Sequence, residues 1–282
     1  MKRTRAMGLL LLCLCLLLVG CASSDPYADA PLKLYFLDVG QGDCILLRTP
    51  AGDILIDSGP EEMQADLCRR LRRLGVTTFA LAVFTHSDED HIGGGDLLLE
   101  EFGAAEIWIS SVWEENECAR RLLQSAEECG AEICKVTAGK RMSFGDVIMT
   151  VLAPRIGNSE TSNDSSIVLK VVCGEISALL TGDIEEAGER ALLDFYGATH
   201  LRCDLYKVGH HGSSTSTGEE LLRAMSPRYA VISCAAENRY GHPHGETLER
   251  LENAGVAVFR TDLDGEILFV CTGEELIPIC RS

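Results

Sequence analysis

The most chemically informative part of this sequence is the segment Thr85–His91, which reads THSDEDH. Four of its side chains are the candidate metal ligands: His86, Asp88, Asp90 and His91. The segment directly follows the apolar run Phe79–Phe84, which is typical of a buried strand, so we expect the four side chains in the loop at its C-terminal end. Imidazole nitrogen with carboxylate oxygen suits Zn, Mn or Fe and leaves coordination positions open for water. The segment therefore predicts a metal site, and the alternative is a solvated acidic loop.

Further potential ligands stand at the ends of predicted strands or just before a predicted helix. They are Asp57, Asp183, His210, His211, His242 and His244. Of the seven histidines, only His200 lies outside these positions and the 85–91 segment. Such clustering is typical of a metal centre, whereas structural histidines would be scattered. For either histidine pair alone, an ordinary surface or core role remains the alternative.

The order of the predicted elements is that of one α/β domain in two similar halves. Apolar runs at 32–39, 44–48, 53–56 and 79–84 indicate strands, and helical periodicity over 61–74 ends at a glycine suited to a helix C-cap. A second series of strands and helices runs from residue 147 to residue 271. Because the strands come in meandering runs, two mixed sheets covered by helices are expected, not one doubly wound parallel sheet.

Seven stretches, in this order, resemble metallo-β-lactamase-fold hydrolases, and specifically the extracellular nuclease-like domain of the ComEC competence proteins. They are Phe36–Asp43, Ile56–Gly59, His86–His91, Asn163–Ser166, Thr181–Asp183, Gly209–Ser213 and Gly241–His244. They span nearly all of residues 32–271. The resemblance implies a hydrolase domain over residues 31–282, an αββα sandwich with two divalent ions, Zn or Mn, at one edge.

The resemblance also implies a ligand set. His86 and Asp88 would bind the first ion, Asp90 and His91 would bind the second, and Asp183 would bridge both. His210 is expected as the last ligand because it follows its strand directly, which leaves His211 as a catalytic, supporting or substrate-contacting residue.

Two departures from the wider superfamily bear on the metal. Asp88 replaces a histidine, which makes the first site harder and shifts its preference towards Mn or a weakly held Zn. No histidine lies between residues 92 and 182, and Asn163 stands roughly where another superfamily ligand would be.

The remaining candidates divide into catalytic, substrate-binding and supporting residues. Asp90 could orient the attacking water or accept its proton. His242 or His244 could protonate the leaving oxygen, the alternative being helix capping or ligand support. Asp38 and Asp57 are expected to orient ligands, and Asp43 to shape a turn.

The hydroxyl-rich stretch after the histidine pair has two interpretations. Ser213, Thr215 and Ser216, with Asn163, could hydrogen-bond a phosphate group of the substrate. The alternative for the three hydroxyls is a polar turn and N-cap for the next helix.

The N-terminal residues indicate export. Lys2, Arg3 and Arg5 precede an apolar run over 7–19 that is short for a transmembrane helix, so residues 1–20 are interpreted as a signal peptide. Leu18–Cys21 resembles a bacterial lipobox, which implies lipidation of Cys21, a tether over residues 21–30 and attachment to the outer face of the cell membrane. An uncleaved signal anchor is the alternative.

The net charge of the chain bears on which substrates it can bind. The net charge of −18 argues against tight, metal-independent nucleic-acid binding. It does not exclude a phosphodiester substrate, because bound cations reverse the local field. The leading hypothesis is an extracellular phosphodiesterase or nuclease acting on DNA, with a separate competence channel protein as a partner. The alternatives are hydrolysis of an envelope phosphodiester or small ester, and non-catalytic metal binding. Of thirteen cysteines, most are expected to be free.

Overall fold

The computed structural model of the protein describes residues 26–155 and 161–279. The expected signal peptide, the lipidation site Cys21 and the first half of the expected tether lie outside these residues. In the second half of the expected tether, Tyr27 and Ala30 pack against an apolar cluster of the domain.

One mixed sheet has eight strands. In spatial order they are β15 (Leu276–Ile279), β14 (Ile267–Cys271), β1 (Leu32–Phe36), β2 (Ile45–Thr49), β3 (Gly52–Ile56), β4 (Phe79–Phe84), β5 (Ala104–Ser110) and β6 (Glu132–Val136). Pairing is antiparallel from β15 to β3 and parallel from β3 to β6.

The other mixed sheet has seven strands. In spatial order they are β13 (Ala257–Arg260), β12 (Tyr229–Ile232), β11 (Leu205–Lys207), β10 (Ile176–Leu180), β9 (Val168–Cys173), β8 (Val147–Ala153) and β7 (Arg141–Phe144). Pairing is antiparallel from β7 to β10 and parallel from β10 to β13. Each sheet thus joins an antiparallel meander to a parallel run, as the two similar halves of the sequence predicted.

Helices cover the outer face of both sheets. The α-helices of the described residues are α1 (Gln64–Leu74), α2 (Glu89–Ile92), α3 (Gly95–Phe102), α4 (Glu117–Glu128), α5 (Glu186–Leu201), α6 (Glu219–Met225), α7 (Gly245–Asn253) and α8 (Thr261–Asp264). Short 3-10 turns occur at Glu61–Met63, Asn163–Ser165 and Gly209–Gly212. No helix in 26–155 or 161–279 is long and apolar enough to cross a membrane.

Three apolar clusters define the layers. The first fills the space between the sheets and includes Phe36 and Leu180. The second joins α1, α3 and α4 to the eight-stranded sheet, and the third joins α5, α6 and α7 to the seven-stranded sheet. The order helix, sheet, sheet, helix confirms the expected αββα sandwich. The nine cysteines of the described residues are all free.

The strands that the sequence did not predict, β6, β7 and β15, all lie at sheet edges. Edge strands bury fewer side chains and carry polar residues such as Lys135 and Arg141, so their apolar pattern is weak. The strands that lead into the candidate site are interior. For β4, the predicted and observed bounds coincide.

Candidate metal centre

Ligand-type side chains from both sheets meet at one edge of the sandwich. The segment 85–91 leaves the C-terminal end of β4, Asp183 follows β10, and the histidine pair follows β11. These strands belong to the parallel runs of their sheets, so their carboxyl ends emerge at the same edge, which is where α/β sheets place ligand sites. Residues far apart in sequence are thereby brought within contact distance.

The most closely packed ligands, which we call the inner group, are His91, His211, Asp183 and Asp90. His211 Nε2 lies 3.3 Å from His91 Nε2, from Asp183 Oδ2 and from Asp90 Oδ2. His91 Nε2 also lies 3.3 Å from Asp183 Oδ1, which forms no hydrogen bond. Donors separated this way fit one ion, because bonds of about 2.0–2.1 Å in a tetrahedral site place ligand atoms roughly 3.3 Å apart.

His86 and Asp88, the outer group, form a second and sparser arrangement. His86 is fully buried, and its Nε2 has no hydrogen-bond partner and lies 3.7 Å from Asp88 Oδ2. An unsatisfied buried nitrogen costs about 1–3 kcal/mol, which a bound cation would remove. The Asp88 side chain is 45% exposed, so this arrangement is open to solvent on one side.

Support for the ligands comes from residues directly behind them. Asp57 adopts a left-handed φ of 57°, and its Oδ2 lies 2.7 Å from His91 Nδ1. Thr85 donates to both oxygens of Asp57, through its backbone N–H and its hydroxyl. A carboxylate on Nδ1 fixes the ring and leaves Nε2 facing the ion. This contact is the one expected for Asp57, whereas the hydrogen bond described for Asp38 is to Gly40 in its own turn.

Serine side chains hold the outer group in place. The Ser166 hydroxyl lies 3.3 Å from His86 Nδ1 and accepts the backbone N–H of Asp183. Ser162 donates to Asp88 Oδ1 at 2.9 Å. Neither serine was singled out from sequence, and Ser162, not its neighbour Asn163, makes the hydrogen bond to Asp88.

The expected choice between the two adjacent histidines is reversed by the turn that carries them. His210 and His211 have left-handed φ values of 46° and 53°, and Gly212 follows at 85°. This turn directs His211 into the inner group, where its Nδ1 lies 3.0 Å from Ser233 O. His210 stays at the rim, with Nε2 4.0 Å from Asp183 Oδ2 and Nδ1 3.3 Å from Glu185 Oε1. The geometry therefore favours His211 as the ligand.

A buried ion pair, which sequence reasoning missed, lies behind His211. Lys207 is fully buried in β11, and its Nζ lies 2.8 Å from Asp43 Oδ2. Asp43 Oδ1 lies 3.6 Å from His211 Nδ1, the side of the ring that faces away from the other ligands. Although Asp43 is close enough to be counted with the ligands, this position makes it a support. A lysine inside the apolar strand LYKV was the signal in the sequence.

The pKa shifts of His211 and Asp90 also indicate a site that would favour a bound cation. Burial lowers the pKa of His211, but Asp183, Asp90 and Asp43 outweigh it and raise that pKa to about 10 in the absence of an ion. Burial raises the pKa of Asp90, but the neighbouring imidazoles outweigh it and lower that pKa to about 2. Without metal, the protonated imidazole thus balances the charge of the carboxylates in the inner group. An ion that binds to the imidazoles must displace these protons.

His242 and His244, the other histidines expected to be catalytic, do not fit the role of proton donor. Burial, followed by the imidazoles of His210 and His211, lowers the pKa of His242 to about 4, so His242 is neutral near pH 7 and poorly suited to protonating a leaving group. Both nitrogens of His244 are engaged, Nδ1 by the backbone N–H of Ser214 and Nε2 by Tyr240 O. His244 therefore supports the loop, which was its alternative interpretation.

The expected phosphate-binding hydroxyls are also used within the fold. Ser216 donates to Ile184 O and Thr215 donates to Glu185 Oε1, while Ser213 and Thr215 contact each other. The polar-turn alternative fits these contacts. The N-cap position of α6 is Gly218, so the three hydroxyls do not cap that helix.

Comparison with known proteins agrees with this fold. Residues 37–236 match the metallo-beta-lactamase superfamily, and the chain belongs to that superfamily. Its relatives are ComEC-like competence proteins. The chain is 33% identical to ComE operon protein 3 of Bacillus subtilis (strain 168), over 88% of the chain and 33% of that protein. It is 31% identical to Competence protein ComA of Neisseria gonorrhoeae, over 90% of the chain and 35% of that protein. The chain thus spans about a third of the length of these relatives.

Solved structures share the fold at low sequence identity. The metallo-beta-lactamase fold protein YhfI from Bacillus subtilis gives a TM-score of 0.55 at 10% identity, over 82% of this chain and 96% of that one. CmlA, a diiron beta-hydroxylase from Streptomyces venezuelae, gives 0.54 at 14% identity, over 89% of this chain and 54% of that one. Because a hydroxylase shares it, the fold alone does not define the reaction.

Proposed function

We propose that this protein is a metal-dependent phosphodiesterase that cleaves DNA outside the cell membrane. The observation that carries the proposal is the inner group, in which ligand atoms of His91, Asp183 and Asp90 each lie 3.3 Å from His211 Nε2. The similarity to competence proteins supports a nucleic-acid substrate.

Two divalent ions, Zn or Mn, would be held at this edge of the sandwich. The inner group would hold one of them, and His86 with Asp88 would hold the other more weakly, with Asp183 shared between them. When bound, such ions lower the pKa of water and neutralise charge on phosphate oxygens. The four carboxylates of Asp43, Asp88, Asp90 and Asp183 would otherwise repel a phosphodiester.

The protein's own residues would move the protons. Asp90 Oδ2 lies 3.3 Å from His211 Nε2, and the Asp90 side chain is 29% exposed, so it reaches both the other ligands and the open side. It can accept a proton from the attacking water. His210, one-quarter exposed at the rim with Nδ1 3.3 Å from Glu185 Oε1, is better placed than His242 to donate a proton to the leaving oxygen.

The N-terminal sequence supports the location of the reaction. A signal peptide over residues 1–20 and a lipidated Cys21 would attach the domain to the outer face of the membrane. The partner that we propose for a role in DNA uptake is a separate competence channel protein.

An assay on two substrates tests this function. The full-length chain would be stripped of metal, reloaded separately with Mn and Zn, and assayed on bis-p-nitrophenyl phosphate and single-stranded DNA at several salt concentrations. Metal-dependent cleavage of both is expected. Cleavage of the small diester alone would move the substrate to an envelope phosphodiester, in keeping with the acidic charge. Two bound ions without cleavage of either would contradict the proposal and favour non-catalytic metal binding.

A further inference from the structure

A rigid turn carries an exposed aromatic ring beside the metal centre. Asn238 organises this turn, since its side-chain N–H groups donate to Ala235 O and His242 O, and its Oδ1 accepts the backbone N–H groups of Tyr240 and His242. Four hydrogen bonds from one side chain fix the backbone on both sides of Tyr240. The position of the Tyr240 ring is thereby set by the fold.

The Tyr240 ring continues a series of rings that begins at the ligands. It lies 5.5 Å from the His242 ring at an interplanar angle of 21°, and His242 in turn lies 5.3 Å from the His210 ring and 6.4 Å from the His211 ring. Tyr240 is 48% exposed, whereas His242 is buried. A large exposed ring therefore stands one imidazole away from a metal ligand.

A cation accompanies this ring. Arg239 is exposed, its guanidinium carbon lies 4.8 Å from the centre of the Tyr240 ring, and it donates to the Tyr240 hydroxyl. The chain as a whole is acidic, with a net charge of −18, whereas this part of the rim of the metal centre presents an arginine next to an aromatic ring. Together they offer a flat surface for stacking and a positive charge for an anion.

We propose that Arg239 and Tyr240 form a subsite for one unpaired nucleobase and its phosphate, next to the scissile phosphodiester. This inference rests on the proposed phosphodiesterase function. A nucleotide combines the planar ring that stacks on tyrosine with the anion that pairs with arginine. A phosphate alone would gain nothing from the ring. Bases within a duplex are already stacked on their neighbours, so the subsite selects single strands.

Binding to oligonucleotides tests the subsite without turnover. Full-length protein with Ca²⁺ in place of the active ion would be titrated, by fluorescence anisotropy, against a labelled single-stranded thymidine 12-mer and an abasic 12-mer of the same backbone. The wild-type chain is expected to bind the base-bearing strand about ten times more tightly. Tyr240→Ala should reduce this ratio to about one, and Tyr240→Phe, which keeps the ring, should preserve it.

Two further variants control for general effects. Phe195 is another exposed aromatic residue with an arginine over its ring, Arg155 at 3.3 Å, but it lies more than two turns along α5 from the end that adjoins the site. Phe195→Ala should leave the ratio at about ten. Arg239→Gln should weaken both oligonucleotides similarly and reduce the salt dependence of binding by about one phosphate contact.

The outcomes separate this inference from the proposed function. Equal binding of the two strands by the wild-type chain, or an unchanged ratio in Tyr240→Ala, would overturn the subsite even if the diester is cleaved. A ratio that depends on Tyr240 would support the subsite even if neither diester is cleaved, in which case only the hydrolytic function fails.

Discussion

The inner and outer groups of ligands differ in how firmly the protein fixes them. In the inner group, His91 is held by Asp57 and His211 by Ser233 O, and both rings are buried. In the outer group, His86 is buried but the Asp88 side chain is 45% exposed. The comparison teaches that the two groups are not equivalent: if two ions bind as proposed, the inner group would hold its ion tightly and the outer group would hold its ion weakly.

Loss of the shared ligand should affect both positions. Asp183→Ala is expected to abolish turnover and to lower the content of both ions. The loss of metal affinity should exceed the roughly 10–100-fold cost of removing a residue that only supports a ligand. Metal analysis with diester hydrolysis measures both effects. His200→Ala, at the only histidine outside the clusters, should change neither, and full activity in the Asp183 variant would rule out the bridged arrangement.

Separate substitution of the adjacent histidines tests the inner group directly. His211→Ala should weaken binding of the tight ion by more than about 100-fold, because it removes a ligand and not merely its support. His210→Ala should leave metal content unchanged and lower turnover by about 10²-fold, through loss of a proton donor. Competition with a fluorescent zinc chelator gives the affinities. The reverse pattern would restore His210 as the ligand.

Removal of the buried cation behind His211 tests how the inner group is supported. Lys207→Met should lower the free energy of unfolding by about 3–5 kcal/mol, because Asp43 is left buried and unpaired. Urea unfolding of the metal-free protein measures the change. The double variant Lys207→Met with Asp43→Asn should recover part of the loss. If the single and double variants lose the same free energy of unfolding, Lys207 and Asp43 are not energetically coupled.

The smallest effect is expected in the outer group. Asp88→Ala should remove about one ion per chain, the weakly held one, while the tight ion stays in place. Titration of the metal-free variant, followed by calorimetry, counts the remaining sites. Loss of both ions in this variant would remove the proposed asymmetry.

The parts of this site that the sequence predicted share one property. The ligands of the 85–91 segment lie within six residues and directly follow a strongly apolar interior strand. Both their chemistry and their position in the fold could therefore be predicted from the sequence. The choice between His210 and His211 depends on the left-handed turn 210–212, which no residue pattern in the chain specifies. The contact of Asp43 with Lys207 joins residues 164 positions apart, and only the packed fold brings them together. All of the interior strands were predicted, and the three strands that were missed lie at sheet edges.

The division of the ligands between two sheets has a mechanical consequence. His91 comes from the end of the eight-stranded sheet, and Asp183 and His211 come from the end of the seven-stranded sheet, so one ion would cross-link the halves of the sandwich at its open edge. The free energy of metal binding would then be added to the free energy of folding. Exchange of the backbone amides near this edge would slow on metal loading, and the two halves would come apart there first when the ion is withdrawn.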